Sequence, residues 1–229
     1  MDAKYRIAVM FCAVGLALGG ARPAAGPAGP GKADKPKAIV AGEAETWLAA
    51  LRNAGGAFDL KNERVLVVDA DGVVLDQADG EKDAVAFPSR FLRFLRQPTP
   101  SVTLVHNHPG NTGLSKQDLY QLGHPGVARV IAVGNDGSLY EARRGAAFDA
   151  GTFERLVYPA AHKALMFRIA QSTDSCVLQD GRINTHFAHG LALSLARAGV
   201  LEYRAQLDPQ REAAWKAVRI WFIRAGVLN

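Results

Sequence analysis

Cysteine is scarce in this chain: Cys12 and Cys176 are the two in 229 residues. Cys12 lies in an apolar N-terminal stretch. If that stretch is removed as a signal, only Cys176 is left, and no intramolecular disulfide is possible in the mature chain. Cys176 then reads as a small buried residue rather than a nucleophile. Dense runs of lysine or arginine are missing as well. The formal charge is +5, but the basic residues are dispersed, which reads as a solvated surface and gives no reason to expect a specific nucleic-acid partner. No internal repeat is evident. Ile7 to Leu18 is apolar but short for a membrane-spanning helix.

That short apolar stretch follows Lys4 and Arg6 and ends in Gly19-Gly20-Ala21. Positive start, apolar middle and small residues are the pattern of a signal peptide over residues 1–21. Cys12, preceded by Met10 and Phe11, lacks the small neighbour that lipidation requires. The expectation is an exported protein, periplasmic or secreted. Membrane contact is expected only if the segment stays attached as an anchor.

Hydrophobic residues make up 48% and charged residues 21% of the chain, enough for one cored domain plus an extension. Residues 22–38, rich in Pro, Gly, Ala and Lys, read as a linker that cannot pack a core. Residues 39–148 read as a mixed α/β domain. Trp47, Leu48 and Leu51 have helical spacing within Glu43 to Ala54. Arg64 to Asp69 and Val73 to Asp76 read as strands around an Asp71-Gly72 turn. Ser89 is a candidate N-cap for a helix running to Gln97. Val102 to His106 reads as a buried strand, and Arg129 to Val133 and Ser138 to Glu141 pair around Asn135-Asp136-Gly137. Residues 149–229 turn helical, with helices over Phe153 to Ala170, His186 to Ala198 and Pro209 to Ala225. The overall expectation is an α/β fold, a mixed sheet flanked by helices, with a C-terminal helical extension.

The chemistry concentrates in His106-Asn107-His108-Pro109, a Gly/Asn/Thr turn, and Ser115-Lys116-Gln117-Asp118. Imidazoles at i and i+2 on a strand point to the same side, with Asn107 facing the other way as a structural residue. A helix beginning at Ser115 brings the Asp118 carboxylate back toward them. Two neutral imidazoles and a carboxylate leave a fourth tetrahedral position, as in a catalytic rather than a structural zinc site. Ser115-x-x-Asp118 also approximates a capping box, and both readings can hold together. His186-x-x-His189 puts two imidazoles on one helical face but has no adjacent Glu, and a second metal site is not expected there. The letters His-Asn-His do not make this an HNH nuclease, whose residues are spread over a larger motif.

His-x-His-Pro, a loop and Ser-x-x-Asp together resemble the signature of the JAMM (MPN-domain) zinc metalloproteases, most of all the bacterial and phage RadC-like branch. The loop is one residue shorter than in the better-known eukaryotic members. Glu63-Arg-Val-Leu-Val-Val-Asp-Ala-Asp-Gly-Val-Val-Leu and Arg129 to Tyr140 resemble the hairpins that open and close that domain. The resemblance covers roughly residues 40–145. It implies a JAMM/MPN-like, cytidine-deaminase-like α/β fold that uses Zn2+. In that family pattern His106, His108 and Asp118 are metal ligands, Ser115 helps to polarise the carbonyl, and Glu63 is the general base. The implied activity is hydrolysis of a peptide or isopeptide bond in a protein or peptide substrate. The alternatives are an inactive MPN-like binding module and an exported effector or toxin peptidase. An export signal is unusual beside RadC-like proteins, which are cytoplasmic in character.

Overall fold

The computed structural model describes residues 42–55, 59–82, 84–172 and 181–228. The expected signal, the linker and Cys176 lie outside the described residues.

Helix α1 (Glu43–Asn53) is followed by strands β1 (Arg64–Val68) and β2 (Val74–Asp79), which pair antiparallel around the expected turn. Gly72 takes φ 88° there, a left-handed conformation open to glycine at little cost. A 3₁₀ turn (Ser89–Phe91) runs into the single helical turn α2 (Leu92–Leu95). This corrects the expectation of a Ser89-capped helix to Gln97. Pro88 occupies the cap position, it has no side-chain acceptor, and its carbonyl takes the Phe91 amide in a 3₁₀ bond. Strand β3 (Val102–His108), helix α3 (Lys116–Gln121) and strand β4 (Val127–Gly134) form a parallel crossover unit, and β5 (Leu139–Arg144) returns antiparallel.

The region after residue 149 is mainly helical: α4 (Ala150–Thr152), a π-helical turn (Phe153–Val157), α5 (Tyr158–Ser172), α6 (Gly181–Arg197) and α7 (Pro209–Arg224). It also contributes a strand the sequence reading passed over, β6 (Leu201–Gln206), which pairs with β5. The six strands run in the order β2-β1-β3-β4-β5-β6.

Period-two alternation divides the sheet into two packed faces. Leu66, Val68, Val105, Ile131, Val133 and Leu139 face α1, which answers with Ala44, Leu48 and Leu51. The helical spacing of Leu48 and Leu51 thus buries one side of α1, at about 1.5–3 kcal/mol for each leucine. Val65, Val67, Leu104, Val130 and Ala132 face the other way, into a larger core built with α3, α5, α6 and α7. Residues after 149 therefore share the sheet and this core with the residues before them.

Arg64 ties the α1 side together although it is only 2% exposed. Its guanidinium donates to both Asp79 carboxylate oxygens, at 2.5 and 2.8 Å, and to the Leu51 and Ala54 carbonyls at the end of α1. It neutralises a carboxylate and satisfies orphan helix carbonyls at once.

Candidate metal centre

Strand β3 is buried along its whole length. Val102, Leu104, His106 and His108 lie on its larger-core face, and Thr103, Val105 and Asn107 on the α1 face. The two imidazoles thus enter one space at the carboxyl end of a strand whose parallel neighbour is β4, where the chain turns away into the Pro109–Leu114 loop. Asn111 in that loop takes φ 56° and donates its amide to the His108 carbonyl, closing the turn.

Ser115 caps α3 as expected. Its Oγ accepts the Asp118 amide at 3.2 Å, and its own amide donates to Asp118 Oδ2 at 2.6 Å. The reciprocal pair orients the Asp118 carboxylate toward β3. Asp118 Oδ1 lies 3.1 Å from His106 Nε2, Oδ2 lies 3.3 Å from His108 Nε2, and the two Nε2 atoms are 2.9 Å apart. Both histidine side chains are nearly enclosed, at 5% and 6% exposure, and Asp118 opens to solvent at 17%.

The second ring nitrogen of His108 is spoken for. Its Nδ1 donates to the Thr112 carbonyl at 2.9 Å, which leaves the Nε2 lone pair facing Asp118 and His106. Burial pushes the His108 pKa down. The hydrogen bond and charge of Asp118, the Thr112 carbonyl and the charge of Glu63 outweigh that, and the net shift is upward. Burial pushes Asp118 up, but His106 and His108 overcome it and hold the carboxyl well below its usual range. The space among the three groups therefore favours positive charge. His106, His108 and Asp118 form a group that could hold a metal ion. The fit is close: tetrahedral ligands at zinc distances stand about 3.3 Å apart, near the separations seen here.

Glu63 precedes β1. In the antiparallel register of β1 and β3, Val65 lies opposite His106, and continuing by two residues brings Glu63 across from His108 on the same face. Its charge acts on His108. Its backbone is pinned to the β2 side, the amide donating to the Glu81 carbonyl and the carbonyl accepting the Gly80 amide. Asn107 clamps the same segment from the opposite face. Its Oδ1 accepts the Arg64 amide at 2.8 Å, and its Nδ2 donates to the Leu60 and Asn62 carbonyls at 3.3 and 2.7 Å.

No family model matches the chain, and neither a curated protein nor a solved structure matches it.

Sequence reasoning missed two neighbours of this centre. Thr112 acts through its carbonyl, a group every residue carries, so no sequence signal marks it. Tyr158 comes from α5. Its ring packs edge-on against Tyr120, and burial, then the charges of Tyr120 and Asp118, push its phenol up to about 12. The π-helical turn just before it is a local irregularity of the kind that often accompanies functional positions. His186 and His189 stand apart from the centre. His189 Nδ1 bonds the Tyr203 hydroxyl at 2.8 Å, its ring packs on Trp215, and burial, then His186, pushes its pKa down to about 3.

Proposed function

We propose that this protein is an exported, zinc-dependent metallopeptidase of JAMM/MPN type that hydrolyses a peptide or isopeptide bond in a protein or peptide substrate. The observation that carries the reading is the convergence of two imidazole nitrogens and a carboxylate oxygen at the end of β3, with a glutamate in register across from His108. His106, His108 and Asp118 would hold the zinc. A bound zinc supplies Lewis acidity, acidifying water and polarising a carbonyl oxygen. Glu63 accepts the proton of the attacking water and returns it to the leaving amine. The Ser115 hydroxyl accepts the Asp118 amide and keeps its own proton free to donate to the developing oxyanion. The Thr112 carbonyl fixes the His108 tautomer, so the ligand nitrogen is set before any metal arrives.

The competing reading is an inactive MPN-like module. It is favoured by how little of the centre reaches solvent, with both histidine side chains nearly enclosed. Elemental analysis of the purified protein, followed by mass-spectrometric digestion of a complex peptide mixture, separates the two. The metallopeptidase retains about one zinc per chain and cleaves peptides. Its Glu63→Gln variant keeps the zinc and loses at least about a hundredfold in rate. Zinc without cleavage leaves the module, and iron or no metal in place of zinc overturns the proposal, because the same donor set also suits ferrous iron.

A further inference from the structure

Helix α5 is half core and half bare. Leu165 and Ile169 are buried at 2% and 0%, whereas Phe167 is 52% exposed and Leu156, in the π-helical turn just before the helix, is 63% exposed. On a helical wheel Leu156, Ala160, Lys163, Phe167 and Ala170 lie along the side opposite Leu165, at spacings of four and three, and all are exposed. Met166, 38% exposed, flanks the stripe. Arg155 stands beside it, and Lys163 sits at its middle. Helix α7, which packs against α5, carries Ile220 at 42% exposure, one turn after exposed Lys216 and next to exposed Arg219. Among the described residues the acidic groups near these sides are exposed Asp149 and Glu154, and Glu212, which pairs with Lys216 at 3.5 Å.

We infer that this stripe docks on an anionic membrane surface, with α5 lying in the headgroup layer, Leu156 and Phe167 inserted and Lys163 and Arg155 facing lipid phosphates. Exposed apolar side chains interspersed with cations can be held at a membrane surface by insertion of the first and attraction of the second to anionic headgroups. The charges argue against the obvious competitor, a second copy of the chain: Lys163 lies within the stripe, and a seam built on it would bury that cation. Nucleic acid would use the cations but would leave Leu156 and Phe167 without a role. The exposed Val73, Val74 and Leu75, where β2 begins, offer a contrast, since Asp69 and Asp71 lie beside them, while Asp76 is held in ion pairs with Arg90 and Arg93. This inference is independent of the metallopeptidase reading and places membrane contact in α5 rather than in the N-terminal segment.

The test is vesicle co-sedimentation of the full chain with phosphatidylcholine vesicles, with and without phosphatidylglycerol. The N-terminal segment is present in every variant, so differences report on α5. The protein is expected to bind the phosphatidylglycerol vesicles, less so at high salt. Lys163→Glu and Phe167→Ser are each expected to weaken that binding about tenfold or more, with Val73→Ser unchanged as the control for a bare apolar residue. Circular dichroism and analytical ultracentrifugation run alongside, and both α5 variants change exposed side chains only. Binding of Lys163→Glu or Phe167→Ser equal to that of the unaltered chain overturns the inference, as does the absence of phosphatidylglycerol-dependent binding. So does a dimer that Phe167→Ser dissolves, which would give the stripe to a second copy. Duplex-DNA binding lost in Lys163→Glu, without vesicle binding, would give it to nucleic acid.

Discussion

Asn107→Ala tests whether the segment carrying Glu63 is held from beneath the sheet. Asn107 is fully buried and makes three hydrogen bonds to the backbone of residues 60–64, accepting one and donating two. Alanine keeps the strand but removes all three, leaving the Arg64 amide without that acceptor and two carbonyls without that donor. At about 0.5–1.5 kcal/mol for each bond, with the high end for partners left dry, the loss in unfolding free energy is about 3 kcal/mol. Urea unfolding reads this directly. Metal content should be unchanged, because His106 and His108 leave β3 on the opposite face and draw on Thr112 and Asp118 rather than on Asn107. Peptide hydrolysis should fall at least about tenfold, since freeing residues 60–64 lets Glu63 drift from its register with His108. A stability loss under about 1 kcal/mol would refute the clamp. A metal loss matching the rate loss would show that Asn107 supports β3 itself and not the Glu63 segment.

Two further outcomes follow from α6. His189 is held neutral, its pKa pushed down to about 3 by burial and then by His186. Protons therefore prefer the unfolded chain once the pH drops below the ordinary histidine value. The contribution is complete above about pH 6.5 and is lost as the pH falls toward 3, at up to about 1.4 kcal/mol per pH unit. Urea unfolding of His189→Gln between pH 6 and 4 should be flatter by about that slope, and an unchanged slope would refute the assignment. A Cβ at Gly113 would stand 3.2 Å from the backbone nitrogen of His189. Gly113→Ala should push the Pro109–Leu114 loop off α6, costing about 1–3 kcal/mol and weakening metal uptake in a competitive chelator titration. Uptake equal to that of the unaltered chain would show that α6 does not position the loop.

The parts of the centre that were legible in the sequence are those set by local periodicity. His106 and His108 share a face because a strand repeats every two residues, and Asp118 turns back because Ser115 begins a helix three residues earlier. Asn107 reads as structural by the same alternation, although the loop it clamps lies more than forty residues upstream. Arg64 could not be assigned, because its partners come from α1 and β2 and meet only once the sheet exists. Tyr158 was hidden in the same way, forty residues beyond Asp118. Strand β6 is a different failure. Leu201, Tyr203 and Ala205 alternate with Glu202, Arg204 and Gln206, a period-two pattern, but it is short, half-polar and set between two long helical patterns. Among its polar residues Arg204 donates to the buried Glu141, which also accepts from Arg143, and in sequence the segment reads as solvated loop.

Ser115-x-x-Asp118 admitted two readings, a helix cap or a ligand pair, and the carboxylate has enough oxygens for both. Oδ2 accepts the Ser115 amide, closing the cap of a helix only six residues long, where such a cap is worth about 1 kcal/mol. Oδ1 is turned to His106. The helix therefore aims the ligand oxygen while its partner oxygen stays bound to the backbone, and rotation of the carboxyl group is blocked from one side. A ligand held in this way loses little side-chain entropy on metal binding, unlike one on a free side chain. The His108 ring is fixed in the same manner, with one nitrogen on the Thr112 carbonyl and the other released to the centre. Two of the three candidate ligands are thus oriented by main-chain atoms of the single loop between β3 and α3, so the fit of this centre to a metal ion depends on the geometry of that loop as much as on the identity of its side chains.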